Sequence, residues 1–338
     1  MKWDFCVGNP AYQETQDDTS DKPVYNYFLD EAFKVAEKVE MIHPARFLFN
    51  AGKTPKAWNE KMLNDSHFKV EFYEQNSDAV FKGTDIKGGV AITYRDNSKE
   101  CGAIGAFTSF EELNSIKRKV TSKMVCTSLD DNIYVQNKFD LDVLYKDYPQ
   151  FRTIIGSGGR ERRLTTPIFK QLSVFADEQT ANDDVKILGL VDNKRTYKYI
   201  HKKYLAPHEN LEKWKVILPK SNGSGALGEV LSTPLIGQPL IGHTQSFISI
   251  GAFETENEAD ALLKYVKSKF ARTLLGILKV TQDNNKGVWK YVPIQDFTNN
   301  SDINWDTSIA NIDKQLYKKY GLSQEEIDFI ETHVKEMV

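Results

Sequence analysis

Cysteine is scarce in this 338-residue sequence. Cys6, Cys101 and Cys126 lie far apart and never as C-x-x-C, so neither a disulfide framework nor a cysteine-based zinc site is expected. The six histidines, His43, His67, His201, His208, His243 and His333, form no H-x-E, H-E-x-x-H or paired spacing. That sets aside zinc-deaminase and metallohydrolase chemistry, and no metal site is expected. No apolar run reaches the ~18 residues of a membrane span. The opening Met1–Gly8 lacks the apolar stretch of a signal peptide. No repeat and no low-complexity tract occurs. A soluble, cytoplasmic protein without a membrane partner is expected.

The chain carries 44 basic and 47 acidic side chains, a net charge of −3, with 40% hydrophobic and 12% aromatic residues. At about 100–200 residues per domain, two domains are expected. The charge is unevenly spread: residues 151–240 hold 14 Lys and Arg against 9 Asp and Glu, a local excess compatible with a polyanion partner or with an ordinary solvated face.

Trp3–Val7 is apolar-rich and ends in Gly8-Asn9-Pro10, reading as a buried strand that runs into a turn. Helical spacing follows from Pro23 through Val24, Tyr27, Phe28, Ala32, Phe33 and Val35-Ala36, with Pro23 suited to a first turn. A strand is expected at Val39–Ile42, broken by Pro44, then a helix from Thr54-Pro55, with Thr54 as its cap, to about Leu63. Phe68–Tyr73 and Val90–Tyr94 read as strands, the latter preceded by a tight Asp85-Ile86-Lys87-Gly88-Gly89 turn. A helical pattern at Ser109–Lys119 closes this α/β part. Beyond residue 120 the texture is irregular, with glycine-serine clusters at 156–159 and 221–225. Strands are expected at Val185–Val191 and Trp214–Leu218, a helix at Glu258–Ala271, and a last helix after the capping box Ser323-Gln324-Glu325-Glu326.

Asn9-Pro10-Ala11-Tyr12 carries the chemistry. Methylating the exocyclic amine of an extruded base requires acceptors that orient the amine's lone pair. An Asn side-chain carbonyl and the next backbone carbonyl supply them, and Pro10 fixes φ so that its carbonyl faces outward. Tyr12 offers a stacking face for the base. No side chain with a tuned pKa is needed. Taken alone, the tetrapeptide reads first as a plain Asn-Pro turn that initiates a helix or loop.

The surrounding Trp3-Asp4-Phe5-Cys6-Val7-Gly8-Asn9-Pro10-Ala11-Tyr12-Gln13 resembles the catalytic motif of DNA adenine-N6 methyltransferases of the type II restriction–modification class, including fused methyltransferase–endonuclease enzymes. There the motif usually reads Asn-Pro-Pro-Tyr or Asn-Pro-Pro-Phe. Ile42–Phe49 is similar to the next strand and its exit, and Asp85–Ile92 to the late motif beside the target-base pocket. Tyr204-Leu205, Trp214–Lys220 and Tyr320–Glu326 are similar to the DNA-recognition half and its closing helix. The resemblance spans nearly the whole chain and is specific in its first hundred residues. It implies base flipping and methyl transfer from S-adenosylmethionine to adenine N6 in double-stranded DNA. Asn9, Pro10 and Tyr12 would be catalytic, with Ala11, Lys87, Gly88 and Gly89 at the base pocket.

Two departures stand out. Ala11 replaces a proline, which leaves both acceptors in place on a less rigid loop. And the family's donor-binding half, normally built before this motif, is absent from these residues. Gly223-Ser224-Gly225-Ala226-Leu227-Gly228 matches G-x-G-x-x-G, but Thr233-Pro234 and Pro239 break the helix it would need, and no acidic residue stands about 20 positions on. It reads as a surface turn, or as a loop meeting a DNA phosphate through backbone N–H groups. The expected architecture is α/β: a partial Rossmann-like methyltransferase domain at 1–120, then a mixed α+β target-recognition domain at 121–338. An exposed sheet edge and an uncovered apolar face would call for a second methyltransferase subunit carrying the donor site, the split-enzyme reading. The rival is a non-catalytic DNA-specificity subunit. Asp85-Ile86-Lys87 also carries the D-x-K of some nucleases, although the late motif accounts for it better. The expected DNA contacts are Arg160, Arg162, Arg163, Lys194, Arg195, Lys202, Lys203, Lys213, Lys215 and Lys220, some on phosphates and one or two Arg on guanine edges.

Overall fold

The structure is a computed structural model that describes residues 2–14, 22–86, 88–124, 127–155 and 162–337. Lys87, Cys126, the 156–159 glycine cluster and Arg160 lie outside the described residues. The chain divides into two compact units, Met1–Asn114 and Ser115–Val338.

In the first unit, β1 (Trp3–Gly8) leads to a two-stranded ribbon of β2 (Gln13–Glu14) and β3 (Lys22–Pro23). Then come α1 (Tyr25–Val35), β4 (Ala36–Pro44), α2 (Lys56–Asn64), β5 (Phe68–Glu74) and β6 (Val90–Asp96). Four strands form one sheet in the order β1-β4-β6-β5. β1 runs parallel to β4, from Trp3 opposite Ala36 to Gly8 opposite Met41. β6 is antiparallel to both neighbours. Leu29 and Ala32 of α1, Trp58 and Met62 of α2, Val39 and Met41 of β4 and Phe68 of β5 form one core.

β1 is a strand as expected, but it is not buried. It lies at the sheet edge, with Trp3, Phe5 and Val7 exposed at 74%, 59% and 74%. Alternating apolar residues show that a face is suited to burial, not that anything covers it. Only Cys6, pointing to the other face, packs against the core. α1 starts at Tyr25, because Pro23 is held in the β2–β3 ribbon. Its buried stripe is Tyr25, Leu29 and Ala32, leaving Tyr27 and Phe28 exposed. Thr54 does not cap α2. Pro55 holds that position, while the Thr54 hydroxyl donates to Asn59 Oδ1 at 2.7 Å.

α3 (Glu111–Lys123) carries the boundary between the units. The second unit contains β7 (Ile133–Tyr134), α4 (Leu141–Asp147), α5 (Phe151–Ile154), α6 (Ile168–Gln171), β8 (Asp184–Val191), β9 (Lys194–His201) and β10 (Trp214–Pro219). It continues through β11 (Leu235–Gly237), β12 (Ile241–His243), β13 (Phe247–Phe253), α7 (Glu256–Lys267), α8 (Lys269–Leu275), α9 (Ile309–Tyr320) and α10 (Gln324–His333). Its sheets run β11-β10-β13-β7 and β12-β8-β9. The helix expected at 258–271 is two helices. Ser268 ends α7 and caps α8 through its hydroxyl. The capping box at Ser323 forms as expected. β8 and β9 join through Asp192-Asn193, both at positive φ, a type I′ turn that these two residue types tolerate. No helix among the described residues is long and apolar enough to cross a membrane.

Candidate active site

The end of β1 places Asn9 on the surface, and the chain then turns down to Tyr12. Tyr12 is fixed from behind, since its carbonyl accepts from Val24 N at 3.1 Å and so extends the β2–β3 ribbon. Its hydroxyl is shut off from solvent and makes no well-formed hydrogen bond. Burial pushes the phenol up, and the neighbouring Asn9 side chain pulls it partly back. Asn9, Pro10, Ala11 and Tyr12 line a cavity of about 1070 Å³ with Tyr25, Arg46, Lys53, Thr54, Phe81, Asp85 and Ile86. That volume exceeds what a single base needs and falls near the upper end for small-molecule sites.

Three pieces of chain set the walls. The exit of β4 turns at Pro44 into a 3-10 turn, Arg46–Phe49. The loop at 50–54 is pinned to α2 through Thr54 and by the Asn59 amide, which donates to Asn50 Oδ1 at 3.2 Å. The turn before β6 is tied to the first wall by Ala45 N donating to Gly89 O at 3.0 Å. Gly88 and Gly89 sit at φ +85° and +76°. A Cβ on Gly89 would fall 2.2 Å from the Glu74 carbonyl, so only glycine closes this turn. The resemblance implies a base pocket at Ala11, Lys87, Gly88 and Gly89, of which Ala11 lines this cavity. In the structure Asp85 and Ile86 line the cavity, and the two glycines lock the turn behind them.

Of the cavity's lining residues, Tyr25 belongs to an aromatic cluster in the core. Tyr25 stacks on His43 with ring centroids 5.5 Å apart and planes 5° apart, and Phe47 and Trp58 pack around them. The carbonyl of Pro44 can only accept, so Nδ1 of His43 donates to it (3.1 Å) and Nε2 accepts from the Thr93 hydroxyl (2.7 Å). Burial brings the His43 pKa down to about 4, so at neutral pH the ring is an uncharged structural element. Burial pushes the Tyr25 phenol up to about 12, opposed by the Thr54 side chain and the charge of Arg46.

The expected DNA contacts separate into groups. Arg162, Arg163, Lys194 and Lys220 are exposed. Arg195 donates to the carbonyls of Ser232 (3.2 Å) and Thr233 (2.8 Å) and, with Lys220, lines a second cavity that also holds Asn193, Gln245 and Gln282. Lys202 pairs with Glu212, Lys203 with Asp147 at 2.8 Å, and Lys213 with Glu254. Lys215 cannot be a contact. It is 1% exposed, and its ammonium donates to the carbonyls of Asn210 and Leu211 inside the unit. Burial brings its pKa down to about 7.

The Gly223–Gly228 loop is not a phosphate cradle either. The N–H groups of Ser224 (2.8 Å) and Gly225 (3.1 Å) already donate to the Glu229 carboxylate, which pairs with buried Lys279. No helix follows the loop. Among the described residues no group of three or more His, Cys, Asp or Glu is placed to hold a metal ion.

The sequence missed Arg46, Lys53, Thr54 and Tyr25 as cleft residues. The Thr54-Pro55 turn was visible, but nothing local shows that it faces Asn9.

No curated protein matches this chain. Among solved structures it is similar to the type IIG restriction endonuclease BpuSI, with 9% identity over 93% of this chain and 48% of that one, at a TM-score of 0.32. It is also similar to the type IIL restriction-modification enzyme MmeI in complex with DNA, with 8% identity over 98% of this chain and 56% of that one, at a TM-score of 0.28. The chain thus spans about half the length of these two structures. Residues 1–81, which include Asn9–Tyr12, Tyr25, Arg46 and Thr54, match the family of the Eco57I restriction-modification methylase.

Proposed function

We propose that this chain is the catalytic-loop and target-recognition part of a DNA adenine-N6 methyltransferase of a restriction–modification system. The supporting observation is the cleft that Asn9–Tyr12 line together with Tyr25 and the turn at Asp85–Ile86. The methylase match over residues 1–81 points the same way, and the first unit's sheet, with one parallel pair and an antiparallel β6, is compatible with it.

In this reading the extruded adenine enters the cleft. Its amine donates one hydrogen to the Asn9 side-chain carbonyl and one to the Pro10 carbonyl. Two acceptors on one nitrogen turn its lone pair toward the open side and raise its electron density. Tyr12 stacks on the base. With no side chain required to take the proton in advance, the chemistry asks for geometry rather than a shifted pKa.

The methyl donor of this family is S-adenosylmethionine, and the described residues do not fit it. The one G-x-G-x-x-G loop has its N–H groups bound to Glu229. Among the described residues no strand pairs with the side of β1 away from β4, where a donor-binding wall would join the sheet. In this reading the donor site is assigned to polypeptide outside these 338 residues that pairs along β1. The second unit, with Arg162, Arg163, Lys194, Arg195 and Lys220, is assigned to the DNA target.

The test is transfer of a labelled methyl group to mixed-sequence duplex DNA, by the chain alone and with a polypeptide carrying the donor site. Transfer by the pair, lost by at least ~10³-fold in Asn9→Ala with DNA binding retained, is expected for acceptors placed at the reacting nitrogen. Full activity in Asn9→Ala would sink the assignment. Sequence-specific binding without transfer by the pair would make the chain a DNA-specificity subunit.

A further inference from the structure

We propose that Arg46 is a phosphate-binding residue of the cleft, holding the DNA phosphodiester beside the base that Asn9–Tyr12 receive. The inference rests on the functional reading above and names a contact that the catalytic motif does not contain.

Arg46 lines the cavity with Asn9–Tyr12. It is exposed, and among the described residues its guanidinium has no hydrogen bond or ion pair. Its stem is held tightly. A Cβ on Gly88 would lie 2.5 Å from Arg46 Cγ, and one on Gly52 would lie 3.3 Å from Arg46 Cβ. Both glycines are at positive φ, +85° and +91°, on loops 36 residues apart that close on either side of the same side chain. The backbone of Arg46 is fixed too, because its carbonyl accepts from Ala51 N at 3.1 Å.

A long flexible side chain is usually left free where only its charge matters, since ordering it costs roughly 1.5–2 kcal/mol of rotamer entropy. Here the methylenes are packed and the head is left open to the cleft. Such a cation is pre-organised for an oxyanion, and a planar fork with parallel N–H groups suits a phosphate or carboxylate bidentately. Base extrusion rotates the backbone on either side of the target nucleotide, so a phosphate there must be gripped if the base is to stay in the cleft. Two oxyanions are available in the reaction: a DNA phosphate and the carboxylate of the methyl donor. The first is preferred, because Arg46 lies among the walls that receive the base, whereas the donor site is assigned across β1.

The experiment compares unaltered chain, Arg46→Ala and Arg46→Lys by binding to a mixed-sequence duplex at a series of salt concentrations. One lost phosphate contact lowers the slope of log K against log salt by about 0.9. Arg46→Ala is expected to show that loss, and Arg46→Lys to restore the slope while holding the extruded state less well, read by 2-aminopurine fluorescence. Thermal unfolding checks that each variant is folded. Gly88→Ala, which pushes on the stem without removing the charge, is expected to reproduce part of the Ala defect.

A folded Arg46→Ala with unchanged slope overturns the inference. So does an unchanged slope accompanied by weakened binding of S-adenosylhomocysteine to the chain with its donor-site partner, which would move Arg46 to the donor carboxylate. Absence of any salt-dependent DNA binding by the unaltered chain would remove the functional reading and this inference together. Normal methyl transfer with an unchanged slope removes this inference alone.

Discussion

Two glycine-containing turns in this molecule end in opposite states. The turn at Gly88-Gly89 brings its backbone against the exit of β4 and leaves the Arg46 guanidinium facing an open cleft. The turn at Gly223–Gly225 folds its N–H groups onto the Glu229 carboxylate, whose charge is balanced by Lys279 at 3% exposure. In the first the glycines make room beside a cation that has no ion pair among the described residues. In the second the anion is already supplied from within. A glycine-rich loop therefore says little about ligands until the occupant of its donors is known.

Glu229→Gln should break this comparison most visibly. It leaves a buried ammonium unpaired and should lower the unfolding free energy by about 3–5 kcal/mol, measured by denaturant titration, with DNA binding per folded molecule unchanged. Adding Lys279→Met should recover most of the loss. Burial works against the Glu229 charge, but the bonds from Lys279, Ser224 and Gly225 and the Lys279 charge outweigh it, so its pKa lies below the ordinary value. A carboxylate held low in the folded state stabilises above its unfolded pKa and loses that contribution as pH falls through the folded value. The wild-type acid limb below about pH 4.5 should flatten in the double variant.

Gly89→Ala comes next. Strain at φ +76° plus a Cβ at 2.2 Å from the Glu74 carbonyl should cost about 3 kcal/mol, read as a lowered melting temperature. A loss below about 1 kcal/mol would show that the turn is soft.

Lys215 supplies the alkaline counterpart. Its folded pKa of about 7 lies below the unfolded 10.5, so the unfolded chain binds more protons between those values and stability rises with pH across that window. The slope attributable to this residue should reach about 1.4 kcal/mol per pH unit and vanish in Lys215→Met. Smallest of all is Lys202→Ala. Its exposed pair with Glu212 should leave the melting temperature within about 1 °C and the salt slope of DNA binding unaltered, in contrast to Arg46→Ala.

Much of the first unit was legible. Phe68–Glu74 and Val90–Asp96 alternate or run apolar between turn residues, and the Asn-Pro motif follows its strand as read. What failed depended on partners remote in sequence. Pro23 left α1 because it pairs with Gln13. Lys215 looked like surface charge because the carbonyls that bury it sit in a turn four and five residues away, with no carboxylate to announce them. Arg46 reads in sequence only as part of a strand exit, and its packing depends on the remote Gly52 and Gly88. The β8–β9 hairpin had a local signal, Asp192-Asn193, that glycine-centred reading passes over.

The edge strand has a further consequence for anyone handling this protein. Among the described residues β1 pairs only with β4, leaving its other edge bare beside exposed Trp3, Phe5 and Val7. Such an edge accepts any extended chain, including another copy, and without a blocking proline or bulge it favours association. Only Lys2 and Asp4 interrupt it with charge. The preparation should therefore have a concentration ceiling, low when β1 is bare and raised once a strand covers it. Light scattering against dilution would thus report occupancy of that edge without any assay of methylation.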